Sequence, residues 1–261
     1  MRFSIIDRQD EHSKSIASQL ETACEEKGWT CDPEEPELVF CVGGDGTLLR
    51  AIHHYLDQLD HVLFLGIHTG TLGFFTDYTD NELDRLIANL DNVPEIEEAR
   101  LLEARLLEAR FPGSEQTCYA LNEIRIESDS RTLRLDLHID GAFFEQSTGS
   151  GVCISSQAGS TGINRALNGA VIDAGLKVIQ LCEIMPISHK NHHSLRNPFI
   201  MNDSHHITIS SDNLKDAVCS YDHKKMKLDG FHTIEIFTSD KKVRFARYRP
   251  YSYLKRLKNL Y

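Results

Sequence analysis

The most constraining feature of this 261-residue chain is the apolar run Leu38-Val39-Phe40-Cys41-Val42, which ends at Gly43-Gly44-Asp45-Gly46. An uninterrupted apolar run is the pattern of a strand buried on both faces, and strands of that kind belong to parallel sheets covered by helices. Leu48, Leu49, Ile52, Tyr55 and Leu56 then recur at helical spacing, so the glycine turn leads from a buried strand straight into a helix.

The neighbouring segments repeat the alternation. Phe3-Ser4-Ile5-Ile6 reads as a short strand, and a helical stretch with Ile16, Leu20, Ala23 and Cys24 on one face follows it, stopped by Gly28. Val62 to Leu65 is a further apolar run before a glycine-rich turn, and Thr79-x-x-Glu82 is a capping box opening a helix with Leu83, Leu86, Ile87 and Leu90 on one face. Strands alternating with helices predict a doubly wound parallel sheet for residues 1–97.

Beyond that point short alternating runs take over: 121–127, 133–139, 152–155, 206–210, 234–238 and 243–248, with turn signals at Asp140-Gly141 and Asp229-Gly230. Residues 98–248 therefore read as a β-rich sandwich domain. One or two helices interrupt it; the main one starts near Ser160, with Ile163, Ala166, Leu167 and Ala170 on one side. Residues 249–261, basic and aromatic, read as a short helix docking back on the first domain. The run from Glu98 to Arg110, EARLLEARLLEAR, is built of helix formers. A five-residue repeat advances a helix by roughly 140°, however, so its leucines cannot share one face, and a strand is expected for its second half.

Composition sets the outer bounds. Apolar residues make up 41% and charged residues 26%, ordinary values for a globular chain. No apolar run approaches the ~18 to 20 residues of a membrane span, and the N-terminal apolar stretch is too short for a signal peptide, so a cytoplasmic protein without a membrane partner is expected. Cys24, Cys31, Cys41, Cys118, Cys153, Cys182 and Cys219 form no C-x-x-C pair, which argues against a disulfide framework or a structural zinc site. A net charge of −11 argues against nucleic acid as a partner. It also means that any anionic ligand has to be held by local donors against the overall field.

The Gly-Gly-Asp-Gly turn carries the chemistry. Glycines let the backbone approach a ligand closely, and the following helix N-terminus offers unpaired N–H groups and partial positive charge to a phosphate. Phosphoryl transfer needs mainly positioning, a Mg²⁺-bearing nucleotide and a carboxylate near the attacking hydroxyl, and Asp45 is the candidate. The plainer reading is a turn in which Asp45 caps its own helix. A Walker loop is excluded, because no Gly-Lys-Ser/Thr ending is present.

Further motifs follow in order: Gly66-Ile67-His68-Thr69-Gly70-Thr71-Leu72-Gly73-Phe74-Phe75-Thr76, then Leu121-Asn122-Glu123, then the stretch from Gly149 to Gly162, GSGVCISSQAGSTG. With GGDGTLL they resemble the bacterial type of the NAD kinase family, and weaker likeness reaches Asp222 and the C-terminus. The resemblance implies an ATP-dependent, or polyphosphate-dependent, kinase that phosphorylates the 2′-hydroxyl of the adenosine ribose of NAD to give NADP. It implies Asp45 as the base, and Gly43, Gly44 and Gly46 as the glycines that bring backbone amides to phosphates. It implies Asn122 and Glu123 on ribose hydroxyls, Thr161 and Gly162 near the adenine, and Phe74 as an apolar face beside the nucleotide. Arg50, one turn beyond Asp45, is expected near a phosphate or as a solvated helix charge. Mg²⁺ is implied with the nucleotide, and a homodimer or homotetramer as the assembly.

The departures from the family pattern, which include Ser156-Gln157-Ala158-Gly159 where the family has a rigid proline, imply an intact adenosine half of the site and an altered nicotinamide half. Ser150 stands where the family has an acid that engages the nicotinamide end, Thr148 where a basic residue is common, and Ile163 where an aromatic ring shapes the pocket. Losing a charged hydrogen bond costs about 1.5–3 kcal/mol. A catalytically weak or inactive adenine-nucleotide-binding paralogue is therefore the alternative expectation. The histidine-rich loop Ser188-His189-Lys190-Asn191-His192-His193 lacks an acid or cysteine at ligand spacing, so no protein-bound metal is expected there.

Overall fold

A computed structural model of the chain describes residues 1–70, 73–108, 115–188, 194–195, 197–212 and 214–258. It divides into two compact units: Met1–Ala99 with the stretch from Lys241 onward, and Arg100–Asp240.

In the first unit, strands Thr30–Cys31, Arg2–Asp7, Leu38–Val42 and Leu63–His68 lie side by side in that order, all parallel. Thr76–Thr79 and the end of the long strand Phe231–Arg247 also run parallel to Leu63–His68. Every residue of Leu38–Val42 is buried. The cause is alternation: Leu38, Phe40 and Val42 join Phe3, Leu65 and Ile67 in one core, with Ile16, Leu20 and Cys24 of the helix Glu11–Glu26 and Leu83 and Leu86 of the helix Leu83–Asn89. Val39 and Cys41 point the opposite way, toward the helix Asp45–His54, and just beyond that helix the Tyr55 hydroxyl reaches Ser4 at 2.9 Å. Helices on both faces of a parallel sheet make this a doubly wound unit. The predicted capping box is present: Glu82 accepts the N–H of Thr79.

The second unit is an antiparallel sandwich. One sheet orders its strands Phe199–Asn202, Val178–Ile184, Gly151–Ser156, Glu123–Glu127, Val218–Tyr221, Lys224–Lys227. Facing it are Ala142–Gly149, Leu133–Ile139, Ile207–Ser210 and the first half of Phe231–Arg247. Ile124, Ile126, Val152, Ile154 and Leu181 from one sheet fill the core with Leu133, Leu135, Leu137, Ile207, Ile209 and Ile236 from the other. Asp140 and Gly141 both take positive φ in the two-residue turn between their strands, as an Asp-Gly hairpin requires.

The structure differs from the sequence reading in three places. Glu95–Glu108 is a strand along its whole length, because pairing with Phe231–Arg247 and, from Leu102 opposite Ala120 onward, with Glu115–Ala120 overrides its helix propensity; Ala109 and Arg110 lie outside the described residues. The helix expected from Ser160 shrinks to a turn, Ala158–Thr161, and a single helical turn, Ile163–Ala166. Its buried residue is Asn164, not Ile163: the Asn164 amide donates to the carbonyls of Ser160 and Ala170, and Asn168 at φ 61° ends the helix. Finally, residues 98–99 and 241–248 belong to the first unit, not the second; Phe245 is in register with Phe64.

The C-terminal helix is Tyr253–Leu257, capped by Ser252, and its buried Arg256 sits in the first unit beside Asp77. No helix among the described residues is long and apolar enough to cross a membrane. All seven cysteines are free thiols, and Cys31 alone is exposed.

Candidate active site

The glycine turn is built by close packing. Gly43 sits at φ 156°, and a β-carbon there would strike the side chain of Thr47. Its N–H donates to the carbonyl of Ile67 at 2.8 Å, which ties the turn to the next strand. Gly44 is the N-cap of the helix Asp45–His54, and no side chain caps that end. At Gly46 an added β-carbon would meet nothing within 4 Å, so no protein neighbour requires glycine there.

Asp45 does not cap its own helix. Its carboxylate reaches across to the glycine-rich loop, where Oδ2 accepts the N–H of Phe74 at 2.8 Å and Oδ1 accepts the N–H of Phe75 at 3.1 Å. Gly73 makes the approach possible, because a β-carbon at that position would overlap the carboxylate. Each oxygen retains a further lone pair. The half-buried acid is thus held by two main-chain donors and keeps acceptor capacity for a ligand.

His68 borders the same turn. It is buried, its Nδ1 accepts the N–H of Gly70 at 3.0 Å, and its Cε1 is 3.9 Å from where a β-carbon on Gly44 would stand. Burial lowers its pKa, against the pull of the Asp45 charge, and so favours the neutral ring. Arg50 is exposed, and its guanidinium donates to the carbonyl of Asp7 at 2.8 Å. Phe74 lies 5.8 Å from the ring of Tyr253, ring centre to ring centre, and its carbonyl accepts the Tyr251 hydroxyl at 2.8 Å. Thr71 and Leu72 lie outside the described residues.

The second unit gathers another set of predicted residues. Asn122 and Glu123 open the strand Glu123–Glu127, and the backbone leading into it is gripped by Asp222, whose Oδ2 accepts the N–H of Leu121 and Oδ1 that of Asn122, both at 2.8 Å. The turn Ala158–Thr161 packs onto the same spot. Ser156 N–H donates to the Asn122 carbonyl at 2.9 Å, and Gly159 fits against the Asn122 backbone where any β-carbon would collide. At Gly162 a β-carbon would stand 3.6 Å from Glu123 Oε2, which places Thr161 and Gly162 beside the Asn-Glu pair.

Two polar atoms at this spot, Asn122 Oδ1 and Glu123 Oε2, are buried without a hydrogen-bond partner. Buried polar groups are rarely left unpaired, so these two oxygens are spare acceptors available to a ligand. Burial, reinforced by the Asp222 charge, pushes the Glu123 carboxyl up to about 7, with Arg125 opposing. Ser150 is tied through its backbone, donating to Ile184 and accepting from Ser128, both at 2.9 Å. Ile163 is 39% exposed, so it contributes an apolar surface and not a core contact.

Among the described residues no group of three or more His, Cys, Asp or Glu side chains is placed to hold a metal ion. Residues 189–193 of the histidine loop lie outside the described residues. Asp222, Gly73 and Tyr251 were not among the residues singled out as a site from the sequence. In the sequence Asp222 is marked only by the weaker family likeness that reaches it, and Tyr251 only as part of a basic, aromatic tail.

Comparison with known proteins is consistent across the chain. Residues 6–96 match the ATP-NAD kinase N-terminal domain, and residues 121–248 match the ATP-NAD kinase C-terminal domain. An NAD kinase of Geobacillus stearothermophilus is 36% identical over 258 residues, covering 98% of this chain and 95% of the relative. NAD kinase 1 of Bacillus subtilis is 34% identical over 260 residues, covering 99% and 97%. In fold, the chain is similar to yeast NADH kinase complexed with NADH, at TM-score 0.84 and 19% identity, covering 100% of this chain and 86% of that one. It is similar too to an Archaeoglobus fulgidus NAD kinase in complex with ATP, at TM-score 0.77 and 22% identity, covering 100% and 97%. With both domains matched and relatives above 30% identity along nearly its whole length, the chain belongs to the NAD kinase family.

Proposed function

We propose that the chain transfers the γ-phosphoryl group of ATP to the 2′-hydroxyl of the adenosine ribose of NAD, giving NADP, with Asp45 as the base. The observation that carries this reading is the Asp45 carboxylate, fixed by the N–H groups of Phe74 and Phe75 at the open end of a helix. A carboxylate is a weak base, so the proton leaves in concert with, or late in, a loose transition state, and positioning matters more than basicity.

The residues divide the remaining work. Gly43, Gly44 and Gly46 let the first N–H groups of the helix Asp45–His54 approach phosphate, a local attraction that offsets the net charge of −11. Asn122 and Glu123 take ribose hydroxyls on their unpartnered oxygens, with Thr161 and Gly162 beside the base. Phe74 offers an apolar face. Arg50, already engaged with Asp7, adds positive charge at the rim. The divalent ion, Mg²⁺, travels on the nucleotide phosphates and neutralises their charge. ATP is the donor; inorganic polyphosphate is the other donor to try. We place the reaction in the cytoplasm, in keeping with seven free thiols.

The assembly is proposed to be a homodimer or homotetramer. Supporting it, the second unit exposes large apolar side chains: Phe144 and Phe199 stack 5.3 Å apart, and Phe143 and Ile200 are 61% and 40% exposed. Sedimentation velocity of the pure protein tests this, and a monomer at micromolar concentration would discard it.

The test of the reaction is direct. Pure protein is incubated with NAD, ATP and Mg²⁺, and NADP is measured against an Asp45→Asn control. Product from the wild type well above the control is expected; equal product in both would overturn the reading.

A further inference from the structure

The peptide group joining Phe74 to Phe75 is held at both ends. Its N–H donates to Asp45 Oδ1 at 3.1 Å, and its C=O accepts the Tyr251 hydroxyl at 2.8 Å. A peptide is planar, so two bonds on opposite edges fix the rotation of the whole plane. They also reinforce each other: a donor on the carbonyl polarises the group and strengthens its N–H as a donor.

Tyr251 is itself fixed. The Arg247 guanidinium lies 4.2 Å over its ring, and the same guanidinium donates to the carbonyl of Phe75 at 3.2 Å, the next acceptor along the chain. Arg247 is buried and anchored by Asp77 at 3.0 Å and Glu97 at 2.8 Å. Arg256 of the C-terminal helix faces Asp77 at 3.7 Å. Burial, against the opposing Arg247 charge, pushes the Tyr251 hydroxyl up to about 12, which keeps it a donor throughout the physiological range.

We infer that Tyr251, steadied by Arg247, is a positioning residue for catalysis: it orients the Phe74–Phe75 peptide whose N–H aims the Asp45 carboxylate. This rests on the reading of Asp45 as the base. No substrate contact is assigned to Tyr251; it acts through one peptide group. The C-terminal segment is then part of the active-site machinery, in addition to closing the core of the first unit.

The test uses Tyr251→Phe in the full-length protein, since replacing Arg247 would leave Asp77 and Glu97 as buried charges without their partner and threaten the fold. The variant keeps the ring and loses one neutral hydrogen bond, so kcat should fall about threefold to tenfold with little change in the KM for NAD or ATP. Amide exchange of the peptide spanning Phe74 and Phe75 should quicken by a similar factor. In an Asp45→Asn background the same substitution should leave the residual rate unchanged, because the group being aimed is gone. Unchanged kcat or unchanged exchange in Tyr251→Phe overturns the inference, and so does an equal loss in the Asp45→Asn background. A fully active Asp45→Asn enzyme is a separate result, which removes the base and not the tyrosine's grip.

Discussion

Asp222 holds Asn122 by its main chain: one carboxylate oxygen accepts the Asn122 N–H at 2.8 Å while the other accepts that of Leu121. The arrangement has the same form as the grip on Asp45, a carboxylate spanning two successive N–H groups, and here the carboxylate does the holding. Replacing Asp222 by Asn keeps the shape but turns one acceptor into a donor facing an N–H. The KM for NAD should rise about tenfold with a smaller change in kcat, as expected for a group that places a binding residue. Steady-state kinetics over a range of NAD concentrations checks this; an unchanged KM would mean the pair keeps its place unaided.

Glu123 should make both stability and binding depend on pH. Its carboxyl is raised to about 7 by burial and by Asp222, from an ordinary value of 4.5. A raised acid stabilises the fold in its protonated form, so that contribution is complete below about 4.5 and is lost as pH rises through about 7. Glu145, also raised to about 7 by burial and the nearby Glu183, acts in the same direction. The ligand-free protein should therefore lose stability from this source, read as a falling Tm, between pH 5 and 7.5 (roughly the window these two values set), and Glu123→Gln should flatten the slope. The KM for NAD should move the other way, falling as the carboxylate forms, if Glu123 accepts a ribose hydroxyl. A Gln variant with the wild-type pH profile would take Glu123 out of the site.

Gly73 should tolerate no side chain. A β-carbon there would overlap the Asp45 carboxylate, which would have to leave the Phe74 and Phe75 N–H groups. Gly73→Ala is expected to lower kcat by about a hundredfold, the scale on which misplacing a reacting group costs rate. A variant that folds with the wild-type Tm and turns over normally would show that this contact does not hold the acid.

Ser150 invites a gain of function. In the family pattern an acid at this position engages the nicotinamide end of NAD, and Ser150→Asp should restore one charge-assisted hydrogen bond, lowering the KM for NAD about tenfold or more. The KM for ATP serves as the internal control and should stay put.

Removing divalent cations with a chelator should abolish NADP formation and leave the Tm of the ligand-free protein unchanged, because no metal-ligating cluster exists among the described residues. Loss of stability on chelation would point to a metal held by the protein itself.

How much of this was legible in the sequence follows from what each feature depends on. The buried strand, the glycine turn and the helix at Asp45 depend on local pattern, and they stand where the pattern puts them. The first half of the strand Glu95–Glu108 depends on Phe231–Arg247, far along the chain, so its helix-forming composition misled there. Ile163 looked like a core residue by spacing, yet the buried one is Asn164, whose amide satisfies two carbonyls that no periodicity could announce. Asp222 and Tyr251 reach the sites through bonds spanning 101 and 177 positions along the chain, distances at which a single sequence carries no signal.

The main-chain grip on Asp45 has a consequence for how this site can change over generations. Every amino acid except proline brings the same N–H, so the identities of residues 74 and 75 are irrelevant to the two bonds that Phe74 and Phe75 donate. Phe74, half-buried, can change its side chain while the Asp45 carboxylate keeps both bonds, whereas Phe75 is also tied to the core by its stack on Phe245 at 5.8 Å. Proline at either position is the one replacement barred outright. At residue 74 the side chain and the main-chain bond to Asp45 are thereby separate, and selection can edit the first without disturbing the second.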